Sequence, residues 1–144
     1  MELSIRPFRM GDYDAVMALW KEAGLPLRPS GRDSRDRIRA QIAEPNVIFL
    51  VAEAGGGLAG TVLATHDGRK GWINRLAVRR DLRRRGIGER LVREAESRLA
   101  AAGMDVLACL IEEGNDVSMD FFSRLGYERK DDIHYFVKKE SRDS

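Results

Sequence analysis

Apolar and polar positions alternate over residues 3–8 (LSIRPF), which predicts a β-strand near the start of the chain. Residues 11–24 change to a helical spacing whose apolar face includes Trp20. Asp12 is placed to cap the start of this helix, and Gly24 stands where a glycine commonly ends one. The first two predicted elements are therefore a strand and an amphipathic helix.

A loop with prolines and arginines follows, and then a second, charged helix from about Ser34 to Ala43. Three strand-like runs come next: VIFLVAE (47–53), LAGTVLATH (58–66) and GWINRLAV (71–78). Only the short, glycine-containing breaks AGGG and DGRK separate these runs. Such short connections favour an antiparallel meander.

The pattern changes after Val78. It predicts a helix, a strand, a helix and two closing strands, over GERLVREAESRLAAAG (88–103), VLACLI (106–111), DVSMDFFSRLG (116–126), YERKDD (127–132) and IHYFVKK (133–139). Either Asn115 or Asp116 caps the second of these helices. A strand, a helix and another strand in succession predict a parallel pair. The predicted fold is an α/β (α+β) mixed sheet of about seven strands, mostly antiparallel, with helices on both faces.

Composition narrows the class of protein. The chain has 144 residues, which fits one domain over residues 1–144. Its 25 basic and 23 acidic side chains leave a net charge of +2, so a surface built throughout for nucleic acid is not expected. Cys109 is the only cysteine, which excludes an internal disulfide and a zinc site made of cysteines. The longest apolar run, VIFLVA, is too short to span a bilayer, and the N-terminus lacks the apolar stretch of a signal peptide. We therefore expect a cytoplasmic protein that binds no membrane.

The most distinctive stretch is RRDLRRRGIGERL, residues 79–91, which places six arginines around Gly86 and Gly88. It lies between a predicted strand and a predicted helix. The first amides of a helix are unpaired, and the helix dipole favours an anion at that end. Glycines let a phosphate approach those amides closely, and arginines such as Arg83 add charge-assisted hydrogen bonds. The stretch predicts a pyrophosphate site.

Other interpretations of this turn remain open. It is compatible with a solvated, arginine-rich turn whose glycines serve the turn alone. A dinucleotide-binding turn would need a third glycine, but leucine stands there, and seven residues separate Val78 from Gly86. A nucleotide P-loop motif is absent. A nucleic-acid contact is a further alternative, although the aromatic residues of a stacking platform are missing.

Two separated motifs resemble those of the GCN5-related N-acetyltransferases. In that family a strand ending in L-x-V is followed by [RQ]-x-x-G-x-[GA] at the start of a helix, and LAVRRDLRRRGIG places Arg83, Gly86 and Gly88 on the three motif positions. The family also has an asparagine before a helix that ends near L-G-[YF], which is similar to NDVSMDFFSRLGYE. The resemblance runs from IRPF to YFVKK. The chain looks most like small bacterial members of unassigned substrate.

The resemblance implies that acetyl-CoA is the acyl donor and that no metal is involved. It implies cofactor contacts on the strand and in the turn, at Leu76, Ala77, Val78, Arg83, Arg84, Arg85, Gly86, Ile87 and Gly88. The strands ending at Val78 and starting near Val106 would be parallel neighbours that splay apart, so that the pantetheine arm lies along the first of them. The Leu76 N–H would stabilise the oxyanion as an amine attacks. Asn115 would contact the cofactor arm, and a helix-capping role can coexist with that contact.

The chain departs from the family pattern at two catalytic positions. Asn74 stands where many relatives have a glutamate that acts as a base, and Phe122 stands where many have a tyrosine proposed as an acid. The loss of such groups slows turnover, by about 10²–10⁴-fold, without forbidding it. Glu112, at the carboxyl end of the strand after the crossover, is the candidate replacement base. Its alternative is a solvated loop acid.

Several other polar residues are weaker candidates. His66 and His134 are expected to be structural or solvated, and Cys109 to be a small core residue. Arg28 and Arg32, in the loop GLPLRPSGR, lie near the expected acceptor entrance and hint at an acceptor with a negative group. Two solvated arginines are the alternative reading of that loop.

Three functions follow from these patterns. The favoured one is transfer of the acetyl group of acetyl-CoA to a primary amine of an unidentified small molecule or protein. The departures at Asn74 and Phe122 leave a non-catalytic acyl-CoA-binding or sensor module as the alternative, and a basic nucleic-acid binder as a third, less favoured one. The closing strand IHYFVKK is a candidate for pairing across a homodimer.

Overall fold

The computed structural model describes residues 2–144, so residue 1 of the predicted domain lies outside it. Five strands are present: β1 (Leu3–Pro7), β2 (Val47–Ala54), β3 (Gly57–His66), β4 (Gly71–Val78) and β5 (Leu107–Ala108). Four α-helices accompany them: α1 (Tyr13–Glu22), α2 (Arg35–Ile42), α3 (Ile87–Ala101) and α4 (Asp116–Arg124). Two short 3-10 turns precede α1 and α3, at Met10–Asp12 and Arg80–Leu82.

The sheet is mixed, and its strand order follows the chain, β1-β2-β3-β4-β5. The first four strands pair antiparallel, as the short glycine-containing turns predict. β5 returns after α3 and pairs parallel with β4, through Gly71 with Leu107 and Trp72 with Ala108. The predicted meander and parallel pair are confirmed, and the short contact between β4 and β5 leaves most of β4 open on that side.

Helices cover both faces of the sheet, which confirms that part of the prediction. Alternate residues of β2 point into two separate cores. On one side, Leu50 packs with the apolar residues of α3 and with Phe122 of α4. On the other side, Phe49 packs with Trp20 of α1 and with Ile38 of α2. Because the strands alternate between two apolar faces, the sheet lies between two helical layers.

The last part of the chain differs from the prediction. VLACLI forms a strand only over Leu107–Ala108, and YERKDD and IHYFVKK form none. A strand needs a neighbouring edge that takes its backbone hydrogen bonds, and two-residue β5 presents almost no edge. The sheet therefore has five strands instead of about seven. Apolar residues of the final segment are left exposed, with Phe136 at 92% of its full accessibility, and the predicted homodimer pairing of this segment stays a prediction.

Helix boundaries agree closely with the sequence pattern, with one difference in how a cap works. Asp12 is the N-cap residue of α1, but its carboxylate does not cap that helix. Instead it accepts the backbone N–H of Arg9 at 2.8 Å and pairs with the guanidinium group of Arg6 at 2.8 Å. The ion pair joins β1 to the start of α1.

The only hydrophobicity test bearing on membranes concerns the helices. Within residues 2–144, none of them has the length and apolar character needed to cross a bilayer.

Gly60 of β3 allows α3 to approach the sheet closely. A Cβ at this position would lie 2.8 Å from the carbonyl oxygen of Ala77 and 3.0 Å from Cδ1 of Leu91. We therefore expect Gly60→Ala to lower the free energy of unfolding by about 1–3 kcal/mol, because the backbone of β4 has to shift. Urea unfolding measures this change.

The control for that experiment is Gly57→Ala on the same strand. There the added Cβ would meet only the flexible end of Arg79, at 3.4 Å. The Gly57 variant is expected to be close to wild type in stability. Equal stability of the Gly60 variant and wild type would contradict the close approach of α3.

Candidate active site

The start of α3 presents a row of free backbone donors. Gly86 is the N-cap residue, its φ of +78° lies in the left-handed region, and no side chain caps the helix. Arg84 is also left-handed, with φ of +65°, an unusual backbone for a residue with a side chain. Within the described chain, the amides of residues 84–89 donate to no protein acceptor. Consecutive free amides of this kind form an anion-binding concavity.

The arginines of this turn divide into two groups. Arg79 is paired with Asp81, Nε to Oδ1 at 2.7 Å, and the backbone N–H of Arg80 donates to Glu22. Arg83 folds back so that its Nε donates to the carbonyl of Val78 at 3.3 Å. Arg84 and Arg85 are exposed, and neither has an ion-pair partner among residues 2–144. These two side chains remain available for an anion held by the free amides.

The open side of β4 leads away from this turn. Pairing with β5 stops at Trp72, so residues 73–78 have no strand partner on that side within the described chain. On its other side, β4 contains a bulge between the pairs Thr61–Ala77 and Leu63–Asn74. A bulge leaves its extra residue outside the regular ladder. The backbone around Leu76, the predicted oxyanion donor, therefore lies at an irregular, open point of the sheet.

A chain of hydrogen bonds fixes this bulge. The indole Nε1 of Trp20 donates to Oγ1 of Thr61 at 2.9 Å, and that hydroxyl donates to the carbonyl of Arg75 at 3.0 Å. Trp20 and Thr61 are fully buried. Arg75 has a φ of +49°, a strained backbone that persists because its surroundings hold it. The shape of β4 at this point is therefore set by the core.

Asn115 is the N-cap of α4, which settles the choice between the two predicted caps. Its Oδ1 accepts the backbone N–H of Ser118 at 3.2 Å. Its Nδ2 donates to no protein acceptor in the part of the chain that the structure describes. Phe121 of the same helix reaches the start of α3, since a Cβ on Gly88 would lie 3.5 Å from its ring. The two helix starts thus lie close together, and a contact of Asn115 with the cofactor stays a prediction.

The two positions that depart from the family pattern lie in different surroundings. Phe122 is 7% exposed and packs edge-on against Tyr127, with ring centroids 5.2 Å apart. The hydroxyl of Tyr127 donates to Glu96 at 2.7 Å, and burial, with this carboxylate, raises the pKa of Tyr127 above its usual range. Asn74 is exposed and faces a pocket. Phe122 is therefore a core residue, whereas Asn74 borders open space.

The remaining candidates lie apart from the turn. Glu112 is exposed in the loop between β5 and α4, where its carbonyl accepts the N–H of Asn115 at 3.1 Å. His66 ends β3, and His134 is exposed in the final segment. Burial raises the pKa of Cys109 to about 11, so its thiol stays protonated at neutral pH. Glu112 remains a prediction as a base, because it does not line the pocket beside Asn74.

A pocket of about 410 Å³ opens on the α1–α2 face of the sheet, directly beside the bulge. It is lined by Arg32, Asp33, Gln41, Leu63, Thr65, Asn74 and Arg75. The sequence analysis placed Arg32 near this region but missed Arg75 and Asp33. A signal was present, because the two adjacent polar residues Asn74 and Arg75 interrupt an apolar strand, as a bulge does.

The part of the chain covered by the structure has no group of three or more His, Cys, Asp or Glu side chains that could hold a metal ion. The candidate site therefore consists of backbone amides, arginines and neutral polar side chains.

Comparison with known proteins agrees with this geometry. The model of the acetyltransferase (GNAT) family matches residues 13–127. The protein named acetyltransferase ECA0875 from Pectobacterium atrosepticum is 36% identical over 131 residues, which is 91% of this chain and 92% of that protein. The chain belongs to the acetyltransferase (GNAT) family, the acetyl-CoA-dependent N-acetyltransferases.

Solved structures show the same fold. An aminoglycoside N-acetyltransferase, AAC(6')-Iy in complex with CoA, superposes with a TM-score of 0.81 at 18% identity and covers 96% of this chain and 95% of its own. Glucosamine-6-phosphate N-acetyltransferase from Arabidopsis thaliana superposes with a TM-score of 0.78 at 16% identity, with 98% and 100% covered. The family and fold class predicted from the sequence are confirmed.

The free amides at the start of α3 predict how a substitution acts. Asparagine tolerates the left-handed backbone of Gly86, but its side chain would occupy the space in front of the amides. We expect Gly86→Asn to remain folded and to weaken CoA binding at least about tenfold, a cost of about 1.4 kcal/mol. Isothermal titration calorimetry measures the affinity, and circular dichroism checks the fold.

Gly103→Asn is the matched control, since Gly103 is also left-handed (φ +96°) and follows the opposite end of α3. This variant is expected to bind CoA as wild type does. If both variants bind equally well, the turn is not the diphosphate site.

Proposed function

We propose that this protein transfers the acetyl group of acetyl-CoA to a primary amine of a small molecule. The observation that carries the proposal is the row of unpaired amides at the start of α3, which lies at the end of the open strand β4. On the opposite face, the same stretch of β4 borders the 410 Å³ pocket. A donor on the open side and an acceptor in the pocket would meet at the bulge.

The proposed donor contacts begin at the turn. Amides from Arg84 to Gly88 would bind the diphosphate, with Arg83, Arg84 and Arg85 adding positive charge. No side chain or backbone acceptor within residues 2–144 competes for these amides, so they fit a diphosphate. The free Nδ2 of Asn115 is suited to donate to the pantetheine arm while Oδ1 caps α4.

The proposed acyl contacts lie on β4. The backbone of Leu76, Ala77 and Val78 would pair with the extended pantetheine arm in place of a neighbouring strand. Acetyl-CoA, when bound, supplies a thioester carbon for attack by the amine. A C–N bond forms and the C–S bond breaks, while the Leu76 N–H stabilises the negative charge on the carbonyl oxygen. The amine loses one proton, and the departing sulfur takes one up.

The fate of these protons separates this chain from many of its relatives. Asn74 cannot accept a proton at neutral pH, and buried Phe122 has none to give. Glu112 is the proposed replacement base, and exchange with water through the open pocket is the alternative. Asp33 is the one carboxylate on the pocket wall, and it already accepts the backbone N–H of Arg28 at 2.8 Å.

The acceptor is proposed to be a small molecule. The pocket beside the bulge is of small-molecule size, and two proteins of the same fold are named for small acceptors, an aminoglycoside and glucosamine 6-phosphate. Pairing of two copies through the exposed residues 133–137 is a further proposal about assembly, supported by the apolar side chains that this segment leaves uncovered.

The decisive measurement is release of CoA thiol from acetyl-CoA in the presence of a panel of primary amines. We expect at least one amine to raise thiol release well above background hydrolysis, and the Gly86→Asn variant to lose this increase at low acetyl-CoA. Mass spectrometry of the acetylated amine confirms the transfer. Tight CoA binding with no transfer to any amine would instead favour the sensor alternative.

The role of Glu112 has its own test. If its carboxylate takes the proton, Glu112→Gln should lower kcat by about 10²-fold or more without changing CoA affinity. Glu113→Gln is the control, because the neighbouring carboxylate is equally exposed. A Glu112 variant with normal kcat, and a pH profile that follows the amine's own pKa, would assign the proton to water.

A further inference from the structure

The pocket beside β4 carries a concentration of positive charge that the transfer reaction does not require. Arg32 and Arg75 line it from two sides, from the loop between α1 and α2 and from the bulge. Arg28, in the same loop, lies close enough to influence Arg75. One carboxylate, Asp33, accompanies these three guanidinium groups.

Arg75 is held in place by the core. Its guanidinium carbon lies 4.9 Å from the centre of the Trp20 ring, and only 15% of its side chain is exposed. Its backbone carbonyl accepts the hydroxyl of Thr61. A guanidinium group stacked on a buried indole loses little further freedom when it binds a ligand. Arg75 is therefore a fixed positive group on the pocket wall.

Asp33 does not neutralise this cluster. It is 4% exposed, and its Oδ2 accepts the backbone N–H of Arg28 while lying 3.6 Å from Nη2 of Arg75. That separation is too long for a good hydrogen bond. Burial lowers the pKa of Arg75, Asp33 opposes this, and the positive charges of Arg32 and Arg28 lower it further. The site thus has an excess of positive charge.

Hydrogen-bond donors in this region remain unused. Nε of Arg28 is buried without an acceptor among the residues that the structure describes. Arg32 is exposed, and within residues 2–144 its guanidinium group has no ion-pair partner. Buried donors without partners are costly, and they commonly mark a place where a bound group is missing.

We propose that this pocket selects acceptor amines that also carry an anionic group, a carboxylate or a phosphate, which Arg32 and Arg75 bind. The proposal rests on the proposed function for the reaction, but the binding of the anionic group does not depend on turnover. Asn74 and Thr65, on the same wall, supply neutral polar contacts to the remainder of the acceptor. Arg75 directly precedes Leu76, so an anchored acceptor would hold its amine near the thioester.

The test compares pairs of small amines that differ in one group. β-Alanine and β-alaninamide differ in a carboxylate, and phosphoethanolamine and ethanolamine differ in a phosphate. Binding of each to the CoA-saturated protein is measured by calorimetry, and acetylation is followed by thiol release. We expect the anionic member of at least one pair to bind about tenfold tighter or more, and the pair that shows this identifies carboxylate or phosphate.

Substitutions locate the preference. Arg32→Gln and Arg75→Gln are each expected to reduce it at least about fivefold and to raise KM for the anionic acceptor, with KM for acetyl-CoA unchanged. Arg32 is exposed and unpaired, so its variant stays informative even if Arg75→Gln unfolds. Arg37→Gln is the matched control, an exposed arginine of α2 that lines neither described pocket.

The outcomes separate the two proposals. Equal binding of the neutral and anionic members, failure of both anionic probes to bind, or an unchanged preference in both the Arg32 and Arg75 variants overturns the anionic-acceptor proposal. Acetyl transfer that is equally fast with neutral amines overturns it as well and leaves the proposed function standing. A clear anionic preference in binding with no transfer supports it and overturns the proposed function instead.

Discussion

The hydrogen-bonded connection from Trp20 through Thr61 to the backbone of Arg75 is the constraint on which the site depends. It joins the buried face of α1 to the one irregular point of β4. The bulge ends the regular ladder at Leu76, and it turns Arg75 toward the acceptor pocket. Because a buried indole and a buried hydroxyl hold it, the bulge is as rigid as the core around it.

Arginines serve three separate purposes in this small domain. Arg79, in the turn before α3, is tied to Asp81 and therefore maintains the local structure. Arg84 and Arg85 stay unpaired next to the free amides and suit a diphosphate. Arg75, on the far side of β4, rests on Trp20. The near-neutral net charge of the chain conceals these local concentrations, because acidic residues elsewhere balance them.

The sequence predicted well whatever depends on local periodicity. The antiparallel meander, the helix start after Gly86 and the cap at Asn115 all follow from short-range patterns, and the structure contains them. The importance of Arg75 was not predictable in this way. Its position depends on a bulge and on a tryptophan 55 positions earlier in the chain, which no local pattern connects.

The closing strands were predicted from alternation alone, and that prediction was wrong. Alternation over IHYFVKK indicates that a segment is able to form a strand, but a strand also needs an edge to join. With β5 reduced to Leu107–Ala108, that edge is nearly absent. The roles of Leu76 and Glu112 depend equally on partners outside their own segment, which explains why the sequence placed them less securely than the glycine turn.

The tie between α3 and α4 has a consequence for the range of acyl groups. Tyr127 donates to Glu96, and Arg93 reaches the carbonyl of Leu125, so the helices on either side of the donor entrance are linked along their length. Their starting ends have little freedom to separate. Any tolerance for chains longer than acetyl must therefore come from room in the pocket beside Arg75, where a bulkier donor would compete with the acceptor for the same volume.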